Sequence, residues 1–286
     1  MEMSVWGWGS RMKRKMVLIV IFLIGLGVFA YPIVSNLFST QVHQSVIREY
    51  DKTVKGMTAE KIRLEKEKAD RHNEELAGMD HEFIDPFAEG AGSGEEEESR
   101  SYYDALNVGP AIGSVEIPKI DADLPIYHGT SEEVLSQGAG HLEQSSLPTG
   151  KPGTHSVLTA HRGLPTAKMF RHLDQMEVGD TFYVKVLDDT MAYEVQHIEA
   201  VLPDETGWLQ MKEGEELVTL LTCDPYMINT HRLLVTGKRV PFEPEDEATI
   251  AAQEEKRQWV PYALAALVLG LIIYLVRKKV EKREEV

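Results

Sequence analysis

The sequence predicts a mainly β domain, either a closed barrel or a sandwich, between two membrane-spanning helices. Seven short segments rich in β-branched and aliphatic residues are separated by turn signals, without long helical intervals. Two apolar runs lie near the two ends of the 286-residue chain, and each has basic residues on its outer side. The chain is therefore expected to consist of two basic tails, two spans and one external region.

The first apolar run, Met16–Val34, follows a tail at residues 1–15 with four basic residues and one acidic residue. At about 1.5 Å per residue the run would form a helix of roughly 28 Å, close to the ~30 Å hydrocarbon core of a bilayer. We therefore predict a cytoplasmic tail at 1–15 and a transmembrane helix at 16–34. A cleaved signal peptide is the alternative, because Val28-Phe-Ala30 offers small or medium residues at a possible cleavage site.

The second apolar run, Trp259–Val276, has no charged residue and begins with the interfacial anchors Trp259 and Tyr262. Residues 277–286 then form a second basic tail. Positive charge outside both runs predicts a two-pass membrane protein with both termini in the cytoplasm. A buried core helix is the alternative for this run. The net charge of −16 argues against nucleic acid as a partner, since phosphate binding needs a basic face.

Residues 35–78 are polar and helix-favouring, with apolar residues recurring every three to five positions from Val42 to Leu64. This spacing predicts one or two amphipathic helices that pack on a neighbouring domain. Residues 79–106 contain Asp85-Pro86-Phe87, followed by a Gly- and Glu-rich run that cannot bury apolar area. Composition alone favours an ordinary turn for this tripeptide.

Residues 107–243 form the predicted β domain, and residues 244–258 link it to the second span. Two short helices are expected within it, Ser131–Gln137 behind a Thr130/Ser131 cap and Thr166–Gln175 after Pro165. The predicted strands are Ile112–Ile117, Leu124–Tyr127, Ser156–Ala160, Phe182–Leu187, Ala192–Val201, Leu217–Thr222 and Leu233–Val240.

The segment Thr219–Arg232 contains Cys223, the only cysteine of the chain, so a disulfide framework is excluded. A lone cysteine usually behaves as a small buried hydrophobe. Here it ends a strand, and Asp224-Pro225 breaks the pattern before Arg232 begins the next strand. If the two strands pair as a hairpin, thiol and guanidinium meet at one end of the sheet, which suits a nucleophile beside a fixed positive charge.

The run Thr219-Leu-Leu-Thr-Cys223, followed nine positions later by Arg232, resembles the signature of the sortases, transpeptidases of Gram-positive cell surfaces. The resemblance extends from near Asn107 to Val240 and implies an eight-stranded barrel. It implies Cys223 as the nucleophile, His161 as the general acid/base and Arg232 as the group that stabilises the oxyanion or the substrate carbonyl.

Other residues compete for two of these roles. His231 adjoins Arg232, but alternation along a strand should turn it away from Cys223. Arg162 is the competing arginine. Asp224 would raise the pKa of the thiol if it pointed inward, and we expect it to point outward.

The upstream tripeptide is similar to the Asp-Pro-aromatic lid of class C sortases, the pilus-building members. This resemblance implies that Asp85 pairs with Arg232, that Pro86 stiffens the turn, and that Phe87 lies over Cys223. It also implies the partners: pilin and surface-protein precursors with a Leu-Pro-x-Thr-Gly signal, cleaved between Thr and Gly, and a pilin lysine as the acyl acceptor. No cofactor is implied, and no metal-ligand spacing stands out in the sequence.

The sequence is also compared with three alternative functions. A housekeeping sortase would anchor proteins to a cell-wall precursor instead of polymerising them. A papain-like protease would have its cysteine upstream of its histidine, which is the reverse of the order here. A non-enzymatic membrane-anchored surface protein would use Cys223 only for packing.

Overall fold

The structure is a computed structural model that describes residues 6–77, 85–88, 100–205, 207–209 and 214–253, with isolated positions 255, 259, 266, 270, 273, 274 and 277. Its centre is a closed β-barrel of eight strands, which confirms the predicted fold of this region. The helices before the barrel pack along its outside and position the segment that carries residues 85–88.

The labelled helices are α1 (Trp6–Lys55), α2 (Ala59–Ala77), α3 (Arg100–Asp104) and α4 (Glu132–Gln137), and residues 244–253 are also helical. The strands are β1 (Gly113–Ile117), β2 (Ala122–His128), β3 (Ala139–His141), β4 (Thr154–Thr159), β5 (Thr181–Val186), β6 (Asp189–Val201), β7 (Glu216–Asp224) and β8 (His231–Val240). Around the barrel they follow the order β1-β2-β3-β4-β7-β8-β6-β5.

All seven predicted strands are present, and the eighth is β3, which the sequence pattern did not reveal. Its three residues are too few to show the period-2 alternation of a strand. They are fixed by their neighbours, since Ala139 is the register partner of Ile126 in β2 and Gly140 that of Thr159 in β4. β3 thereby closes the gap between the first hairpin and the strands that carry the candidate site.

The prediction of a helix at Thr166–Gln175 was wrong, although the cap predicted for α4 is present at Ser131. Only Leu173–Gln175 forms a short 3₁₀ turn. Met169 has a positive φ of 40°, which an α-helix does not allow. The Arg171 side chain instead donates hydrogen bonds to the carbonyl oxygens of Leu164 and Ala167, and these bonds support a compact irregular loop.

Helix α1 is longer than predicted, because it continues without interruption through Pro32 from the first apolar run into the polar region. It is also the one helix among the described residues that is long and apolar enough to cross a membrane. Most of Trp259–Val276 lies outside the described residues, so the second span stays a prediction. Residues 35–77 form the C-terminal part of α1 and all of α2, in agreement with the predicted amphipathic helices.

Buried polar contacts fix both helices to the barrel. The hydroxyl of Tyr50 in α1 donates to the carbonyl of Ile112 at 2.9 Å and accepts from the backbone N–H of Leu187 at 2.8 Å. The side-chain amide of Asn73 in α2 makes two hydrogen bonds to the backbone of Leu147, at 2.9 and 2.8 Å. A paired buried amide of this kind fixes register as well as position, so the C-terminal part of α2 is held against the barrel.

Candidate active site

Cys223 and Arg232 are direct register partners in the antiparallel pair of β7 and β8, which confirms the predicted hairpin. The β-branched and aliphatic run before Cys223 forms the buried part of β7, and the strand ends at Asp224. Both side chains of the pair are almost fully buried, with 6% of Cys223 and 7% of Arg232 exposed. The thiol therefore lies beside a fixed positive charge at one end of the barrel.

His161 is brought to the same end by β4, which pairs with β7 in parallel. Thr159 is the partner of Leu221, and the match continues where the N–H of Ala160 donates to the carbonyl of Leu221 at 3.2 Å. The same offset sets His161 level with Cys223. β4 and β7 are far apart in the sequence, so no local pattern could reveal this pairing.

A carboxylate that the sequence analysis did not single out also lies beside His161. The Nε2 atom of His161 is 3.4 Å from the Oε2 atom of Glu132, in the first turn of α4. In the sequence Glu132 is indistinguishable from an ordinary acidic residue of a helix N-terminus.

The three candidate residues lie on the outer face of the barrel, beside an apolar cluster. Side chains two residues apart share a face of a strand, so Val157, Leu221 and Leu234 lie on the same face as His161, Cys223 and Arg232, respectively. These apolar residues form a buried cluster with Leu142 and Val201, and Phe87, Trp208 and Leu209 pack against it. A hydrophobic cluster therefore adjoins a thiol, an imidazole and a guanidinium.

Arg162 does not belong to the candidate site. Its side chain is buried and engaged by Asp224, by Asp174 at 2.9 Å and by the carbonyl of Arg171 at 3.3 Å. Asp224 is thus paired with Arg162, and alternation along β7 turns it away from the thiol. His231 also points away from Arg232 by alternation, and its Nδ1 atom lies 2.9 Å from the hydroxyl of Thr230.

Residues 85–88, which contain the predicted lid, lie against the candidate site. The two carboxylate oxygens of Asp85 accept hydrogen bonds from Nε and Nη2 of Arg232, at 2.8 and 2.6 Å. This two-point geometry is the strongest that arginine and a carboxylate form. Both side chains are shielded, with 9% of Asp85 and 8% of Arg232 exposed. The predicted pairing of Asp85 with Arg232 is confirmed.

Phe87 lies between the two groups that flank the thiol. Its ring centroid is 5.6 Å from that of His161, and the guanidinium carbon of Arg232 lies 5.2 Å from the centre of the Phe87 ring. The second contact is a cation–π interaction. Pro86 is buried, and the N–H of Ala88 donates to the carbonyl of Asp85 at 3.0 Å, which closes the turn. A position of Phe87 directly over Cys223 stays a prediction.

Burial raises the pKa of the Cys223 thiol from its ordinary value near 9.0 to about 11. The positive charges of Arg232 and Arg162 act in the opposite direction, and the negative charge of Asp85 raises the pKa further. At neutral pH the thiol is therefore protonated while the lid is in place. A water-filled site without Asp85 would favour the thiolate, which is the reactive form.

Sequence comparison assigns residues 115–240 to the sortase domain. The crystal structure of Sortase C from Streptococcus pneumoniae is 46% identical, has a TM-score of 0.63 and covers 69% of this chain, which spans 97% of that structure. Sortase C-1 from Actinomyces oris is 44% identical with a TM-score of 0.61, and the match covers 64% of this chain and 99% of that structure. The chain thus belongs to the sortase family of cysteine transpeptidases. Within that family it is a class C sortase.

Curated relatives are matched over a smaller share of their length. Sortase D of Bacillus subtilis is 34% identical over 135 residues, which are 46% of this chain and 65% of that protein. Sortase A of Streptococcus agalactiae is 29% identical, over 51% of this chain and 61% of its own length. The chain therefore spans less than two thirds of either protein.

Proposed function

We propose that this protein cleaves Leu-Pro-x-Thr-Gly sorting signals between Thr and Gly and transfers the acyl group to a lysine amine of a pilin, so that pilins are polymerised. The observation that carries the proposal is the register that sets Cys223 opposite Arg232, with His161 two residues after the end of β4, which pairs with β7. A strong class C likeness supports the pilin as substrate, since the Streptococcus pneumoniae relative is described in terms of its pilin substrate specificity.

The reaction has two halves, formation of a thioester and transfer of the acyl group to lysine, and His161 and Arg232 act in both. His161 takes the proton of the Cys223 thiol, and the sulfur attacks the carbonyl carbon of the substrate threonine. Arg232 donates hydrogen bonds to the oxygen that becomes negative in the tetrahedral intermediate. His161 then returns the proton to the leaving glycine amine, and a thioester remains on Cys223. The lysine amine then attacks the thioester, and His161 takes a proton from that amine and passes it to the departing sulfur, which releases the thiol. One amide bond has replaced another, so no ATP is needed.

The apolar cluster beside Cys223 would orient the substrate once the residues that cover it have moved. Val157, Leu221 and Leu234 supply aliphatic side chains, which suit the leucine and proline of the signal because burial of such groups drives binding. The lid residue Phe87 packs against the same cluster. Substrate and lid therefore compete for one surface, and the lid has to leave before the signal binds.

The external location follows from the proposed topology. Sortases act at the cell surface beside the membrane, and α1 provides one apolar helix of sufficient length. We place the barrel outside the cell on the two-pass arrangement, with Trp259–Val276 as the second span. Epitope tags at both termini, tested for protease protection in intact cells, would contradict this arrangement if either terminus were digested.

The central test is the thioester. The full-length protein incubated with a sorting-signal peptide should gain the mass of the acyl fragment, and Cys223→Ala should gain none and cleave nothing. Cys223→Ser is the matched control, because it replaces the thiol with a hydroxyl of similar size that is a far weaker nucleophile. Continued cleavage by the alanine variant would contradict the proposal.

A second test separates pilus polymerisation from wall anchoring. The acyl-enzyme is offered either a folded pilin or a short glycine peptide that represents a wall-precursor amine. Polymerisation predicts an isopeptide bond to a pilin lysine in preference to the glycine amine. The reverse preference would assign the protein to wall anchoring.

A further inference from the structure

Helix α1 runs along the barrel from its active-site end to its opposite end. At the opposite end, Tyr50 contacts Leu187 just before β6 begins, and β6 ends with Val201 beside Arg232. At the active-site end, the hydroxyl of Ser35 donates to the carbonyl of Thr166 at 3.0 Å, in the loop that follows His161. From residue 35 to residue 50 the helix rises about 22 Å, at about 1.5 Å per residue.

The apolar part of α1 therefore projects beyond the active-site end of the barrel. The described side chains from Met16 to Val34 are exposed apart from Ala30, and partial burial resumes at residue 35. The contact of Ser35 with Thr166 lies after Pro32, so this placement does not depend on how straight the span is. With α1 in a bilayer, the active-site end of the barrel faces the membrane.

An exposed apolar surface lies at this same end. Tyr226, Met227 and Ile228, in the β7–β8 loop just after Cys223, are 44%, 67% and 67% exposed. The loop has a defined shape, because the N–H groups of Ile228 and Asn229 both donate to the carbonyl of Pro225 at 3.0 Å. We call residues 226–228 the apolar tip. Two aliphatic side chains and a tyrosine held outward suit a membrane interface, where tyrosine is enriched.

The apolar tip adjoins the irregular loop of residues 160–172 at the same end of the barrel, since the sulfur of Met227 lies 3.5 Å from the position that a Cβ atom on Gly163 would take. The basic residues of this loop are already paired: Arg162 is buried against Asp174 and Asp224, and Lys168 lies 3.5 Å from Asp121. The attraction to a membrane therefore rests on the apolar side chains of the tip.

We infer that the apolar tip inserts into the headgroup region of the bilayer that holds α1, so that the active-site end of the barrel lies against the membrane. The partner is the lipid surface of that bilayer. The consequence for turnover rests on the proposed function: precursors held in the same membrane would present their sorting signals at the level of Cys223, without the signal having to extend far into solvent.

The first experiment measures depth and does not depend on activity. In a Cys223→Ala background, Ile228→Cys carries a nitroxide in the full chain, reconstituted in vesicles of phosphatidylglycerol and phosphatidylcholine. The control is Asp188→Cys, at the opposite end of the barrel. The ratio of collisions with oxygen to collisions with a soluble nickel chelate should be several-fold higher at position 228. Equal ratios at the two positions would overturn the inference.

The second experiment distinguishes the membrane from the sorting signal as the group that covers the tip. Met227→Ser/Ile228→Ser should cleave a soluble signal peptide at the wild-type rate but lose most of its activity on a precursor anchored in the same vesicles. Equal loss on both substrates would mean that the tip binds the signal, and would overturn the membrane assignment. If wild-type protein cleaves neither substrate, the proposed function fails while the depth measurement stands.

Discussion

Arg232 has two partners that it cannot bind at once. In the structure its guanidinium is held by Asp85 and by the carbonyls of Asn229 and His231. In the proposed reaction it donates to the oxyanion of the substrate. One side chain therefore links access to the site with catalysis, because the bond that closes the lid removes the donor that the reaction needs.

For single residues around the site we predict different losses of kcat/KM on substitution by alanine. His161→Ala and Arg232→Ala should each lower kcat/KM by about 10²-fold or more, because they remove a general acid/base and an oxyanion donor. His231→Ala should have a small effect, since its side chain lies on the other face of β8. Peptide cleavage measured under the same conditions tests all three. A larger loss for His231→Ala than for His161→Ala would contradict the assignment.

The lid is a short element whose stability is carried by few contacts. A shielded bidentate ion pair and one aromatic contact are expected to favour the closed state by about 3 kcal/mol, which leaves about 1% of the molecules open. Such a population is large enough for turnover and small enough to keep water from a thioester. Substrate binding would then select the open form.

Replacing the lid contacts should expose the thiol. In Asp85→Ala/Phe87→Ala the alkylation of Cys223 at pH 7.5 should be faster, because both the shielding and the negative charge that raise the thiol pKa are lost. The midpoint of the pH–rate curve should fall below the pH of about 11 that corresponds to the closed site.

Asp188→Ala is the matched control for the lid variant, since it removes an exposed carboxylate at the opposite end of the barrel. Its alkylation rate should equal that of the wild type. An unchanged rate and midpoint in the lid variant would show that residues 85–88 form only a turn.

Local signals predicted the elements but not the way they meet. The β-branched and aliphatic run before Cys223 and the break at Asp224-Pro225 were sufficient to predict β7 and the hairpin to Arg232. The place of His161 depends on parallel pairing of β4 with β7, for which family resemblance was the only guide in the sequence. The loop at Thr166–Gln175 fails as a helix because side-chain bonds of Arg171 to the carbonyls of Leu164 and Ala167 outweigh the local preference.

Across the whole molecule, the buried histidines link stability to pH. His141 is fully buried in the barrel and His43 is buried where α1 packs, and burial lowers their pKa values from 6.5 to about 3 and about 4, respectively. In the folded protein both histidines therefore stay neutral at pH values at which the same residues of the unfolded chain bind protons. Acidification below pH 6.5 favours the unfolded chain until the folded pKa values are reached.

We predict that the free energy of unfolding falls between pH 6.5 and pH 5 with a slope approaching about 1.4 kcal/mol per pH unit for each of these histidines. Urea unfolding of the full chain in detergent, followed by circular dichroism, measures the slope. His43→Gln should remove the contribution of that histidine, up to about 1.4 kcal/mol per pH unit, whereas His197→Gln, at an exposed position, should leave the slope unchanged. A slope that His43→Gln does not alter would contradict the linkage.

The attachment of the lid at both ends makes it an intramolecular competitive inhibitor. It lies between Ala77, the last residue of α2, and Arg100, the first of α3, and both helices are fixed to the body of the protein. Short connections of this kind give an effective concentration in the millimolar range. A free peptide with the sequence of residues 80–90 should therefore protect half of the Asp85→Ala/Phe87→Ala molecules from alkylation at about 10 μM, and should reach the protection given by the native lid only at about millimolar concentration. Any sorting signal that opens the native site has to compete with the tethered lid, whose effective concentration does not fall when the protein is diluted.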